Sequence, residues 1–183
     1  MKRTHESTTW TSRCGAVIVL LGAITVAQGG QPKTEPRDAD AAFARLTSLA
    51  GEWQGVEFGI DVVVTYTLIG NGSTLMEETR PVKGPDIQAM TTMFSVDGNH
   101  LLATHYCDAE NQPQMASAPV MDPNMNSFSF SLVRITGMKT PGDWHNTALE
   151  ISLDDKDHQT QKWRYVHDGK TGTNVFHLTR KPM

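Results

Sequence analysis

A histidine and a cysteine stand two residues apart in Ala103-Thr104-His105-Tyr106-Cys107, just ahead of the polar stretch Asn111-Gln112-Pro113. An imidazole beside a thiol suits a cysteine nucleophile with its base, and it is also half of a zinc or copper site. Each chemistry carries a requirement. A nucleophile needs its base within hydrogen-bond reach, yet strand positions i and i+2 share a face while lying about 6.5–7 Å apart. Zinc needs three or four protein ligands, and only methionines such as Met90, Met93, Met115, Met121 and Met125 could add soft donors for copper. Methionine is equally a filler of apolar pockets, and Cys107 then serves as a small hydrophobe on a wall. The pattern assigns no catalytic residue and no metal ligand. A small-molecule enzyme using Cys107 and His105 stays open as an alternative.

Other chemistry-bearing groups are weaker. In Trp163-Arg164-Tyr165, an inward arginine could pair with a ligand carboxylate. Adjacent strand residues face oppositely, so inward Trp163 and Tyr165 leave Arg164 as a surface charge. Glu77-Glu78 reads as a solvated strand end, and the scattered carboxylates form no acid–base pair. The loop Thr140-Pro141-Gly142-Asp143-Trp144-His145-Asn146 offers Trp144 as a lid over a ligand or as an anchor for the loop.

These groups need a compartment and a frame. Lys2, Arg3 and Arg13 precede an apolar run from Cys14 to Ala27, too short to span a bilayer comfortably but suited to a signal peptide cleaved near Ala27. An uncleaved anchor is the alternative. Export to the periplasm or beyond is expected, with residues 1–27 as the signal, 28–39 as a polar linker and 40–183 as one domain. Removing residues 1–27 leaves 13 Lys and Arg against 19 Asp and Glu, a net charge of −6. An acidic domain without a basic run has no electrostatic footprint for nucleic acid or anionic lipid, so neither is expected as a partner. Cys107 alone survives processing, which excludes an internal disulfide and leaves stability to an ordinary core.

The frame is one helix and many strands. Asp38 or Asp40 can cap a helix whose apolar stripe is Phe43, Leu46 and Leu49 or Ala50, with Gly51 as its stop. Beyond Gly51 the period changes to two. Strands are expected over Glu52–Phe58, Val62–Ile69, Thr74–Thr79, Ile87–Val96, Leu101–Cys107, Gln114–Val120, Ser127–Ile135, Thr147–Leu153, Gln159–His167 and Asn174–Arg180, joined by glycine-bearing turns. About ten contiguous antiparallel strands without a long crossover predict an all-β, up-and-down barrel.

Gly51-Glu52-Trp53, on a first strand after a short helix, resembles the calycin signature of lipocalins and fatty-acid-binding proteins. That resemblance implies that Trp53 plugs the closed end of a barrel. A longer set resembles a family of exported bacterial domains of unknown function with lipocalin-like barrels. It comprises Phe43-x-x-Leu46-x-x-Leu49-Ala50-Gly51-x-Trp53-x-Gly55, Leu68-Ile69-Gly70-Asn71-Gly72-Ser73, and Thr104-His105-Tyr106-Cys107 with Asn111-Gln112-Pro113. That pattern would have glycine before Asn-Gln-Pro; here Glu110 stands there. The chain also resembles nitrobindins, haem-binding barrels with an axial histidine on the last strand. His177 occupies the matching place, and haem is the cofactor this implies. If Phe176 and Leu178 point inward, however, His177 faces solvent.

A barrel of this size can hold one small ligand. The expected function is non-catalytic binding of a small, mostly apolar molecule, with Trp53, Tyr66, Met93, His105, Cys107, Trp163 and Phe176 as pocket candidates.

Overall fold

The computed structural model describes residues 37–57, 59–83 and 89–182. The expected signal peptide and residues 28–36 of the expected linker lie outside the described residues. The helix α1 (Asp38–Leu46) starts inside that linker, with Ala39 already buried. Neither Asp38 nor Asp40 caps it. The cap is Arg37, whose backbone N–H and guanidinium both donate to the Asp40 carboxylate in the first turn, where an acid also complements the helix dipole. Ala42, Phe43 and Leu46 form the buried stripe. A 3-10 turn (Thr47–Leu49) then adds Leu49, while Ala50 is exposed.

Ten antiparallel strands follow: β1 (Gly51–Glu57), β2 (Ile60–Ile69), β3 (Thr74–Pro81), β4 (Met90–Asp97), β5 (His100–Tyr106), β6 (Gln112–Ala116), β7 (Ser127–Thr136), β8 (His145–Leu153), β9 (His158–His167) and β10 (Lys170–Arg180). Each pairs with its neighbours in sequence, and β1 pairs with β10, so the sheet closes as an up-and-down barrel. Closure leaves no free edge to attract another chain. Strand β6 stops at Ala116, four residues short of the expected Val120. Pro119 lacks the N–H that a ladder needs, and Val120 instead donates its N–H to the Asn99 carbonyl.

Closure requires β1 and β10 to come very near one another. A Cβ at Gly55 would stand 2.6 Å from the His177 carbonyl oxygen, so only glycine fits there. Gly51 has φ +122°, a conformation that L side chains rarely adopt. The Gly-x-Trp-x-Gly spacing thus serves close packing, with Trp53 between two positions where the backbone excludes a side chain.

The core is graded along the barrel. Toward the α1 end, Leu75, Phe94, Leu101, Phe128, Phe130 and Ile151 fill the lumen. Trp53 lies at that end beneath the helix terminus. It is 1% exposed, donates its Nε1–H to the Leu49 carbonyl at 2.7 Å, and carries the Arg180 guanidinium 4.2 Å above its ring. Arg180 also donates to the Ala50 and Ser48 carbonyls, satisfying acceptors left bare where the helix ends. The opposite end is not filled by side chains.

The turn after β5 explains the Asn-Gln-Pro motif. Glu110 N–H donates to the Cys107 carbonyl, and Cys107 N–H donates back to the Asn111 carbonyl. This tight return puts Glu110 at φ +62°, the left-handed region where glycine would be at ease. Asn111 is fully buried and donates its Nδ2–H to the Trp144 carbonyl at 2.7 Å, pinning the β7–β8 loop to this turn. Glu110→Gly is therefore expected to raise the thermal midpoint by a few degrees. Relief of left-handed strain outweighs both glycine's entropy and the exposed Lys139 ion pair. A midpoint equal to or below wild type in a thermal melt would contradict this.

Candidate functional site: a buried acidic–aromatic cavity

The unfilled end encloses a cavity of about 390 Å³. Val62, Val64, Trp163, Phe176 and Leu178 supply apolar and aromatic wall, and Trp144 and Met90 stand toward the mouth. The polar lining comes from Glu57, Glu77, His105, Asn146, Gln161 and Asn174, with Asp108 in the β5–β6 turn. Strand register organises much of this. Tyr66, Glu77, Thr92 and His105 are successive cross-strand partners on β2, β3, β4 and β5, so their inward side chains form one belt.

That belt is hydrogen-bonded across the lumen. Trp163 Nε1–H donates to Gln161 Oε1 at 2.8 Å, and an indole can only donate. The Gln161 amide is thereby oriented. Its Nε2–H groups reach the Tyr66 hydroxyl oxygen at 2.6 Å and Glu77 Oε2 at 2.9 Å, while Tyr66 donates to Gln159 Oε1 at 3.1 Å. Glu77 is 3% exposed, and burial pushes its carboxyl up to about 7 against the opposing hydrogen bond from Gln161. Glu57 also rises to about 7, first through burial and then through repulsion by Glu77 and Asp108. Near neutral pH these two carboxyls sit midway in their titration. Among the described residues no lysine or arginine lines the cavity.

His105 is held differently. Its Nδ1 lies 2.9 Å from Thr92 Oγ1 and its ring packs against Trp163 with centroids 4.8 Å apart. Burial pushes it down to about 4, so it is a neutral, polar wall at physiological pH.

Asn146 enters the cavity through a break in alternation. Leu149 and Ile151 of β8 face inward, which by period two would turn Asn146 outward. A register shift between Asn146 and Ala148 sets it inward instead, the usual effect of a bulge. Asn146 is 3% exposed, and its Oδ1 has no hydrogen-bond partner among the described residues.

The candidates drawn from sequence divide accordingly. His105, Trp163 and Phe176 line the cavity. Tyr66 lies beneath it and reaches it through Gln161 and Glu77. Trp53 is at the other end of the barrel. Met93 is on the outer face, because Thr92 and Phe94 hold the inward positions of β4; Met90 is the methionine at the cavity. Cys107 is 9% exposed but lies outside the lining. Burial pushes its thiol up to about 12, so about one part in ten thousand is thiolate at pH 8, and His105 bonds to Thr92 and not to it. His177 is on the outer face with Nδ1 3.1 Å from Thr160 Oγ1, while Phe176 and Leu178 point inward. An axial ligand for haem in the lumen cannot come from that position. Arg164 is a surface charge, as alternation implied, so its guanidinium does not await a ligand carboxylate in the cavity.

Among the described residues no cluster of three or more His, Cys, Asp or Glu could hold a metal ion. No protein-family model matches the chain, and no curated protein sequence matches it. Solved structures do match. One is a crystal structure of a protein of unknown function of the DUF3598 family from Nostoc punctiforme, with TM-score 0.48 and 16% identity over 74% of this chain and 49% of that one. The chain spans about half the length of that structure.

Glu57, Glu77, Gln161 and Asn146 are among the lining residues that pattern reading missed. For Glu77 a signal existed: it shares the parity of Leu75, a fully buried residue two positions earlier. The reading of Glu77-Glu78 as a solvated strand end holds only for Glu78, which pairs with Arg80 on the outside.

Proposed function

We propose that this protein is a binding protein for a small, mostly apolar molecule, acting without catalysis inside an exported, calycin-like barrel. The observation that carries this is the cavity itself. A lumen packed with phenylalanine and leucine at the α1 end leaves about 390 Å³ open at the other, walled by apolar and aromatic groups with a few convergent polar ones. The buried tryptophan beneath the helix supports the calycin reading, and the apolar Cys14–Ala27 segment after three basic residues supports export. The state of these side chains favours binding over group transfer: Cys107 is protonated and outside the lining, and His105, neutral at physiological pH, bonds the Thr92 hydroxyl and not the Cys107 thiol.

Native mass spectrometry of protein purified from its own host should show one small molecule per chain. Titration with Nile red, a neutral apolar dye, should saturate at one site. Val62→Phe, which narrows the cavity, should weaken dye binding while a cooperative melt confirms folding. A bare-chain mass together with no saturable dye binding would overturn the proposal.

A further inference from the structure

The lining poses an electrostatic question that an apolar ligand does not answer. Its charged groups are Glu57, Glu77 and Asp108, all acidic, with no lysine or arginine among the lining residues described. Asn146, almost fully buried, turns into the same space through the β8 bulge and keeps an Oδ1 acceptor without a donor. A buried acceptor of this kind costs free energy unless something supplies a hydrogen bond. Trp163 and Phe176 face the same volume, and aromatic faces attract cations as well as apolar surface.

We infer that the cavity selects an organic cation, a protonated amine on an apolar body, whose N–H groups face the Glu57 and Glu77 carboxylates and the Asn146 carbonyl. This rests on the binding function proposed above and specifies its ligand class. An ammonium group supplies the missing charge and up to three donors, and the aromatic walls accept the attached hydrocarbon. A carboxylate ligand would instead meet two carboxyls of like sign. A neutral alcohol could satisfy Asn146 but leaves the carboxyls without a counterion.

The placement of the two glutamates makes binding pH-dependent. Glu77 on β3 is faced by Tyr66 from β2, Thr92 from β4, Gln161 from β9 and Glu57 from β1, with His105 on β5 and Asp108 in the turn nearby. His105 is neutral above about pH 4 and brings no positive charge there, so the two glutamates carry the change in the cavity's charge near neutrality. An alkylamine stays protonated like a lysine side chain, with a pKa near 10. Its affinity therefore rises as the carboxyls ionise.

The test compares three probes of one length on the full chain by calorimetric titration: n-octylammonium, n-octanol and octanoate. At about pH 8.5, octylammonium should bind about tenfold or more tighter than octanol, and octanoate more weakly than octanol. From about pH 5.5 to about pH 8.5, octylammonium affinity should rise about tenfold or more while octanol affinity holds steady. Glu77→Gln should erase most of the octylammonium preference. Glu57→Gln, at a less buried position, should reduce it independently, so one variant's failure to fold does not remove the test. Octanol or octanoate binding as tightly as octylammonium overturns the cation and leaves the binding function standing. No binding by any of the three overturns both.

Discussion

Trp53→Ala is expected to remove about 3–5 kcal/mol of unfolding free energy. Three interactions vanish together. The indole fills the lumen beneath the helix end, so its removal leaves a void that closed strands cannot collapse around. Its Nε1–H no longer satisfies the Leu49 carbonyl, a buried acceptor at the end of the 3-10 turn. The Arg180 guanidinium loses the ring on which it lies. A domain of this size has about 5–15 kcal/mol in all, so the variant would stand close to unfolding at 37 °C. Trp53→Phe keeps much of the volume and some of the stacking, and should cost clearly less. Urea denaturation measures both. Equal, small losses for the two variants would show that Trp53 does not plug the α1 end of the barrel.

Glu77→Gln is expected to stabilise the protein by about 3 kcal/mol above pH 7 and to change little below pH 4.5. The sign follows from linkage. The Glu77 carboxyl titrates near 7 in the folded chain and near 4.5 when unfolded. Between these values the folded state holds a proton that the unfolded state has released. Its contribution to stability is thus present below about pH 4.5 and is lost as pH rises through about 7, at about 1.4 kcal/mol per unit. Glutamine, neutral throughout, escapes that loss, and its amide can still accept from Gln161. His105 works in the other sense. With its pKa depressed to about 4, it contributes stability that falls away as pH drops below about 6.5, but it does so in both proteins and cancels in the difference. Glu57 should titrate lower in the variant, because the Glu77 charge is one of the causes that raise it. Chemical denaturation across this pH range decides the matter; a difference that does not vary with pH would show that Glu77 is not a buried, titrating acid.

The two variants act at opposite ends of the barrel and differ in how far sequence alone could foresee them. Trp53 was visible because Gly51 and Gly55 flank it at strand spacing after a capped apolar helix. The change of period from 3.6 to 2 at Gly51 is a local property, and so is each strand that follows. Ten strands, their antiparallel order and the single helix were all legible for that reason, since turn residues and alternation act on neighbours in the chain. The glycine that the motif lacks before Asn111 was legible too, and Glu110 answers it by adopting φ +62°.

What alternation could not supply was its own phase at every strand. Met93 and Glu77 both sit on strands of mixed polarity, where hydrophobicity does not say which face is inside. Ring closure settles it, because β3 and β4 must turn Leu75 and Phe94 toward the same packed lumen. Glu77 then follows Leu75 inward and Met93 is left outside. Asn146 lies further still from local inference, since the bulge that aims it inward is a register shift between two strands and has no mark within either one. The cavity's acidity has the same origin. Glu57, Glu77 and Asp108 are far apart in sequence and ordinary as neighbours, and only the closed barrel brings them around one volume, with no lysine or arginine among the described lining residues. Local periodicity therefore specified a barrel, whereas long-range closure decided what chemistry its interior presents.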